Sequence, residues 1–210
     1  MTDPRLVDVL RFYDRLLDTE SEDARVVGWR SSETQRRNFR ALAQLFAAET
    51  EAFSVYDVGC GLGNMRSFLE QAWPQAVYSG CDIHPRMIER ARLRDGLIDV
   101  ELRNILEKPP AKQYDYVVAS GTFSHCDVPQ AEWSVYVRQM LRTMFDLSRK
   151  GIGVIFLSTT AEIRERGDYH ESASQILQFA QAELSRLVEV RHAFSPWTFA
   201  FFAYKNDTFA

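Results

Sequence analysis

Cysteine is scarce in this chain. Cys60, Cys81 and Cys126 are the only three in 210 residues, an odd number without metal-type spacing. That argues against a disulfide framework or a cysteine-built metal site, and reads as reduced thiols in a cytoplasmic protein. No apolar run is long enough to span a bilayer. The first residues, Met1-Thr-Asp-Pro-Arg5, lack the charged-then-apolar pattern of a secretory signal. Basic charge is not in excess either: 25 Lys and Arg against 29 Asp and Glu leave a formal net charge of -4. A strongly basic nucleic-acid footprint is therefore missing. Internal repeats, low-complexity segments and an interdomain linker are absent too. The expectation is a soluble cytoplasmic chain, 46% hydrophobic, forming a single domain over residues 1–210. It should have neither a nucleic-acid nor a membrane partner, and its oligomeric state is left open.

Periodicity supplies the architecture. Leu6, Val9, Leu10, Tyr13, Leu16 and Leu17 recur at helical spacing behind Asp3-Pro4, a helix start signal. The polar stretch 18–25 reads as a loop. Ser31 or Ser32 caps a second helix reaching Ala48, with Phe39, Leu42, Leu45 and Phe46 on its buried side. These helices form an N-terminal cover over residues 1–50. Strands and helices then alternate over 51–210. Strands are expected at 55–58, 77–81, 98–103, 116–119 and 153–157, with helices at 65–73, 86–94, 131–147 and 171–185. Two further strands, 187–194 and 199–204, break at Ser195-Pro196, which implies an antiparallel hairpin. The pattern is an α/β doubly wound sheet, mostly parallel, whose ligands bind beyond the carboxyl ends of the strands.

The most informative stretch is Asp57-Val-Gly-Cys-Gly-Leu-Gly-Asn64. An apolar strand runs into Gly59, Gly61 and Gly63, and a helix follows at once. Glycines let a backbone turn tightly and approach a ligand closely. The spacing is G-x-G-x-G, and Asn64 stands where a dinucleotide G-x-G-x-x-G needs its third glycine. Asp82 ends the second strand, where an acidic residue accepts ribose hydroxyls. Asn104 and Ile105 end the third, and Ser120 and Gly121 end the fourth.

This constellation resembles class I S-adenosylmethionine (SAM) methyltransferases, whose seven-stranded sheet has one reversed strand. Val27-Gly-Trp-Arg-Ser31 with Gln35 and Phe39, Val118-Ala-Ser-Gly121, and Arg191-His-Ala-Phe-Ser-Pro-Trp-Thr-Phe199 narrow it further. The chain is similar to small stand-alone bacterial O-methyltransferases, including a phosphonate O-methyltransferase. The resemblance implies SAM as cofactor. It implies that Asp57, Gly59, Cys60, Gly61, Gly63 and Asn64 lie against the methionine part, and that Asp82 and Ile83 hold the ribose. Asn104 and Ile105 would then hold the adenine, with Asn104 where the family often has Asp, and Ser120 and Gly121 would lie beside the sulfonium. Metal-dependent relatives carry acidic residues at the end of the fourth strand. Ala119-Ser-Gly121 supplies none, so no metal is expected. The Asn/Asp-Pro-Pro-aromatic run of base-methylating enzymes is absent as well.

His125, in the loop after the fourth strand, is the candidate catalytic residue. A neutral imidazole takes a proton from a hydroxyl, whereas an imidazolium binds an anion. The bland alternative is a loop histidine bonded to backbone. His170 follows the fifth strand and either lines the same mouth as His125 or, as the favoured reading, is a cap or surface residue before a helix; His192 reads as structural. Trp29, Arg30, Gln35, Arg36 and Arg37 form a polar-aromatic cluster. Trp29 would cover the pocket, and a cation, with Arg36 as the choice, would pair with the SAM carboxylate. The alternative is a solvated helix face. Arg164 and Arg166 are candidates to clamp an acidic acceptor, and Trp197 and Phe199 read as hairpin core. The expected activity is methyl transfer from SAM to an oxygen of a small molecule: a phosphonate, a carboxylate or a sugar hydroxyl. The competing readings are a SAM-binding module acting through a partner protein and an NAD-dependent oxidoreductase.

Overall fold

A computed structural model describes residues 3–19 and 23–205. The Asp3 side chain accepts from Arg5 N and starts a 3-10 turn, Pro4–Leu6, which runs into α1 (Val7–Leu17). Within the stretch expected as a loop lies a short helix, α2 (Asp23–Val26). Residues 20–22 of that stretch fall outside the described residues. Ser31 caps α3 (Ser32–Leu42) by accepting from Thr34 N at 3.2 Å. This helix stops earlier than periodicity suggests and tightens into a 3-10 turn, Ala43–Phe46.

Next come β1 (Phe53–Val58), α4 (Asn64–Ala72), β2 (Ala76–Asp82) and α5 (Pro85–Arg94). Proline at the first position of α5 loses no helical hydrogen bond. β3 (Val100–Leu102), β4 (Tyr114–Ser120), α6 (Gln130–Leu147) and β5 (Ser148–Ser158) follow. The chain closes with β6 (His170–Glu171), α7 (Ala173–Glu183), β7 (Val188–Arg191) and β8 (Thr198–Tyr204). β3 is shorter than its apolar pattern suggests, β5 longer, and the two-residue β6 has no periodic signal.

The strand order is β3-β2-β1-β4-β5-β8-β7, with β6 beside β5. β8 is antiparallel to both β5 and β7, and the remaining pairs are parallel. The expected doubly wound sheet with a reversed final strand is therefore present. Strand order switches between β1 and β4, so the carboxyl ends at Val58 and Ser120 flank the crevice where such sheets bind ligands.

Alternation along the strands builds two cores. Val117, Val154 and Phe201 face one side, with Trp133, Val137 and Leu141 of α6. Val118, Ile155 and Phe202 face the other, with Phe39 and Leu42 of α3 and Leu69 of α4. Burying each such aliphatic or aromatic side chain contributes about 1.5–3 kcal/mol.

One buried ion pair ties α6 to the sheet edge. Arg138 donates from two nitrogens to Glu171, which is 2% exposed. Tyr169 Oη and Ser172 N donate to the same carboxylate at 2.8 and 2.9 Å. Removing one partner strands the other charge, so Glu171→Ala should cost about 3–5 kcal/mol. Arg142→Ala breaks the exposed pair with Glu183 and should cost at most about 1 kcal/mol. Denaturant unfolding of the two variants checks the contrast.

Candidate active site

The glycine turn is knitted into the sheet. Gly59 N and Cys60 N both donate to Cys81 O, at 2.8 and 2.9 Å. Gly59 has φ +72°, and a Cβ there would lie 2.5 Å from Thr122 Cγ2. Thr122 in turn donates from Oγ1 to Val58 O at 2.7 Å. Gly63, φ +70°, is the N-cap of α4, and a Cβ would meet Ile98 Cδ1 at 2.2 Å. Only glycine fits either position.

Two carboxylates flank this turn, Asp57 buried and Asp82 half-buried on the wall of a cavity. Asp82 accepts from Gly61 N and His84 N, each at 2.8 Å. Burial pushes its pKa up, opposed by the hydrogen bonds from His84 and Gly61. Asp57 accepts from Tyr78 Oη at 3.1 Å. Burial raises its pKa to about 7, and the Tyr78 hydrogen bond opposes the shift.

Three cavities share walls at this end of the sheet. The first, about 770 Å³ including its mouth, lies between the glycine turn, Asp82, Ile83, Asn104, Ile105 and the underside of α1. The second, about 1030 Å³, is bounded by Phe12, Trp29, Arg37, His125, His170 and Trp197. The third, about 290 Å³, holds Trp29, Gln35, Asp57, Cys60 and Asn64. Tyr13 and Gly121 line the first and second, Trp29 the second and third, and Ser120 the first and third. The cavities thus converge beside Ser120-Gly121. The Ser120 hydroxyl is buried without a hydrogen-bond partner.

Most residues expected at the site meet there. Asn64 Nδ2 donates to Gln35 Oε1 at 3.1 Å across the third cavity. Arg36 is a correction. It follows the buried Gln35 and so points about 100° away around the helix, given 3.6 residues per turn. It is exposed and donates to Gln71 Oε1 at 3.3 Å. Asn104 reaches the first cavity, but its amide oxygen accepts from Leu106 N at 3.0 Å, an Asx turn within its own loop. Arg164 donates to Thr159 O, and neither it nor Arg166 borders a cavity described above.

His125 lines the second cavity. Its ring stacks on Phe12 with centroids 3.8 Å apart, and Nε2 lies 3.2 Å from Asp127 Oδ2. His170 is not a helix cap, since Ser172 caps α7. It lines the same cavity, and burial lowers its pKa. Trp197 is not core: it is 38% exposed and lines the second cavity. His192 lies just past β7, edge-on to Phe199. Tyr13, in the expected apolar stripe, turns out to stand between two cavities. His84 carries no sequence signal. It is 3% exposed, borders the first cavity, and has no hydrogen-bond partner for either ring nitrogen. Among the described residues, no group of three or more His, Cys, Asp or Glu could hold a metal ion.

Residues 56–151 match a family described as a methyltransferase domain. Rv1506c of Mycobacterium tuberculosis, named as a methyltransferase, is 25% identical over 71% of this chain and 91% of its own length. A malonyl-[acyl-carrier protein] O-methyltransferase of Anoxybacillus flavithermus is 33% identical over 37% of this chain, but over only 30% of its own length. The fold matches NodS, an N-methyltransferase of Bradyrhizobium japonicum, with TM-score 0.67 at 15% identity, over 94% of this chain and 98% of NodS. DhpI in complex with SAM and HEP gives 0.67 at 14% identity, over 96% and 99%. The sheet order, the glycine turn and these matches give the class I methyltransferase fold. The family match and Rv1506c mark the protein as a methyltransferase enzyme.

The residues present fit SAM. The glycine turn leaves no room for Cβ atoms, a carboxylate ends β2, Ile83 and Ile105 give apolar walls, and a partnerless buried hydroxyl marks the junction.

Gly59→Ala combines positive φ with a clash, a strain of about 1–3 kcal/mol. Calorimetry should show SAM affinity reduced about tenfold or more. Gly96→Ala, where nothing lies within 4 Å of the added methyl, should bind normally. Asp57 gives a pH prediction. Its folded pKa of about 7 exceeds the ordinary 3.8, so the folded state holds the extra proton between these values. That contribution is complete below the lower value and is lost as pH rises through the upper one. The stability of Asp57→Asn relative to wild type should therefore increase from pH 4 to above 7, measured by urea unfolding of the free protein.

Proposed function

We propose that the enzyme transfers the methyl group of SAM to an oxygen of a small-molecule acceptor, a phosphonate, carboxylate or sugar hydroxyl, by in-line displacement without a metal. The observation that carries this reading is the meeting of the first and second cavities at Gly121 and Tyr13. A donor in one and an acceptor in the other would face each other across that junction. SAM supplies a methyl already activated on a sulfonium, which leaves the protein to position the partners and exclude water. Such positioning contributes about 7–11 kcal/mol in favourable cases.

On this reading Gly59, Gly61, Gly63, Asp57, Cys60 and Asn64 receive the methionine part, with Trp29 as cover. Asp82 and Ile83 receive the ribose, Asn104 and Ile105 the adenine, and Ser120 and Gly121 border the sulfonium. Gln35 replaces Arg36 at the methionine end. Residues 1–50 act as a helical lid on a core of 51–210 within one domain. His125 is the group that meets the acceptor, with Asp127 orienting the ring. The free thiols Cys60, Cys81 and Cys126 support a cytoplasmic setting. The relatives named as O-methyltransferases support an oxygen acceptor.

The test has two parts. Calorimetry with SAM, S-adenosylhomocysteine and NAD should give binding of the first two alone, and NAD binding without SAM binding would refute the reading. Turnover of radiolabelled SAM against acids, sugars and amines should then label an oxygen. His125→Ala should lower kcat on that acceptor about 10²–10⁴-fold while SAM affinity holds, and unchanged turnover would remove His125 from the mechanism.

A further inference from the structure

We propose that the second cavity recognises an anionic acceptor, and that Arg37 is the residue that binds its acid group. This inference rests on the transferase reading above and narrows its acceptor.

Arg37 lies on α3 and lines the second cavity, half-buried. Its Nε is buried without a hydrogen-bond partner, and among the described residues no carboxylate pairs with its guanidinium. Its neighbours differ. Arg30 pairs with Glu165 at 3.5 Å, Arg40 with Glu33 at 3.2 Å, and Arg36 donates to Gln71. A buried guanidinium N–H without an acceptor is costly, and the cost is recovered when an anion arrives.

The group is also oriented. The guanidinium carbon lies 5.8 Å from the centre of the Trp197 ring. Contact with an aromatic face limits the planes the guanidinium can adopt. A planar fork of N–H donors matches a carboxylate or phosphonate with two parallel hydrogen bonds. Trp197 is itself an exposed aromatic on the cavity wall, giving the acceptor's carbon skeleton an apolar surface.

Two carboxylates share the cavity, and neither faces Arg37 as a partner. Glu165 pairs with Arg30, and Asp168 accepts from Glu165 N at 3.1 Å; both belong to the segment between β5 and β6. Arg37 is equally distinct from the methionine end of the cofactor site, because the third cavity is lined by Gln35 and Asn64 and by no Arg or Lys.

The test uses purified enzyme with SAM and a panel of carboxylic and phosphonic acids, each beside its uncharged amide. Formation of S-adenosylhomocysteine should be confined to acids. Arg37→Ala should lower kcat/KM for the best acid about ten- to a hundredfold, with SAM affinity within twofold of wild type. Arg37→Lys keeps the charge without the fork and should recover only part of the loss. The inference is overturned if the amides serve as well as the acids, if no acid is methylated, or if Arg37→Ala weakens SAM as much as it weakens the acid. Failure of wild type to bind SAM would instead sink the transferase reading itself.

Discussion

The Asp82 carboxylate holds the cofactor end of the sheet together. One oxygen accepts from Gly61 N in the glycine turn, and the other from His84 N at the start of α5. The carboxyl end of β2 is thereby tied to two loops at once. The turn cannot relax away from the sheet, because Gly59 N and Cys60 N are also committed to Cys81 O. Burial makes this charge expensive, and the backbone donors offset the cost. The floor of the first cavity is therefore rigid before any ligand arrives, which keeps the later cost of ordering it low.

The roof is held differently. Leu6, Val9, Leu10 and Tyr13 recur along one face of the N-terminal helix and line the same cavity from above. Arg86, Arg90 and Arg94 recur every four residues along α5 and meet the N-terminal elements. Arg86 pairs with Asp14 and Asp18 at 2.8 and 2.6 Å, and Arg90 and Arg94 approach Asp23 at 3.7 and 2.5 Å. Arg94 also donates to Leu62 O inside the glycine turn. Exposed ion pairs of this kind are screened by solvent and contribute little to stability. Apolar burial carries the attachment, and the arginines fix where the helix lies over the sheet.

Much of this was legible in the sequence for a physical reason. The stripe on α1, the alternating strands and the G-x-G-x-G turn are local patterns. Each is dictated by helix period, strand pleat or the need for positive φ. What stayed hidden depends on distant neighbours. Arg36 and Arg37 are adjacent in a polar run, and only the rotation of α3 against the sheet decides that Arg37 meets the cavity and Arg36 meets Gln71. Trp197 reads as hairpin core because its strand does, yet it precedes the first paired residue of β8 and turns outward. β6 is two residues long, too short for any periodicity. Its place comes from Arg138 on α6, which no pattern near His170 announces.

Charge is divided between the cavities in a way that follows the chemistry. The walls around the glycine turn contain two carboxylates, the buried Asp57 and the half-buried Asp82, and the third cavity has no lysine or arginine on its lining. The second cavity has the free guanidinium of Arg37. SAM carries a sulfonium and an ammonium, and its demethylated product keeps only the ammonium. Where these carboxylates are ionised they favour the more cationic form, and the preference is strengthened where water is excluded. An acidic acceptor would be repelled by the same carboxylates unless a cation held it on its own side of Gly121. Arg37 would supply that cation from the second cavity, which shares Trp29 with the third. On the proposed reading the cofactor and the acceptor occupy adjoining cavities, with the small Ser120-Gly121 pair between them.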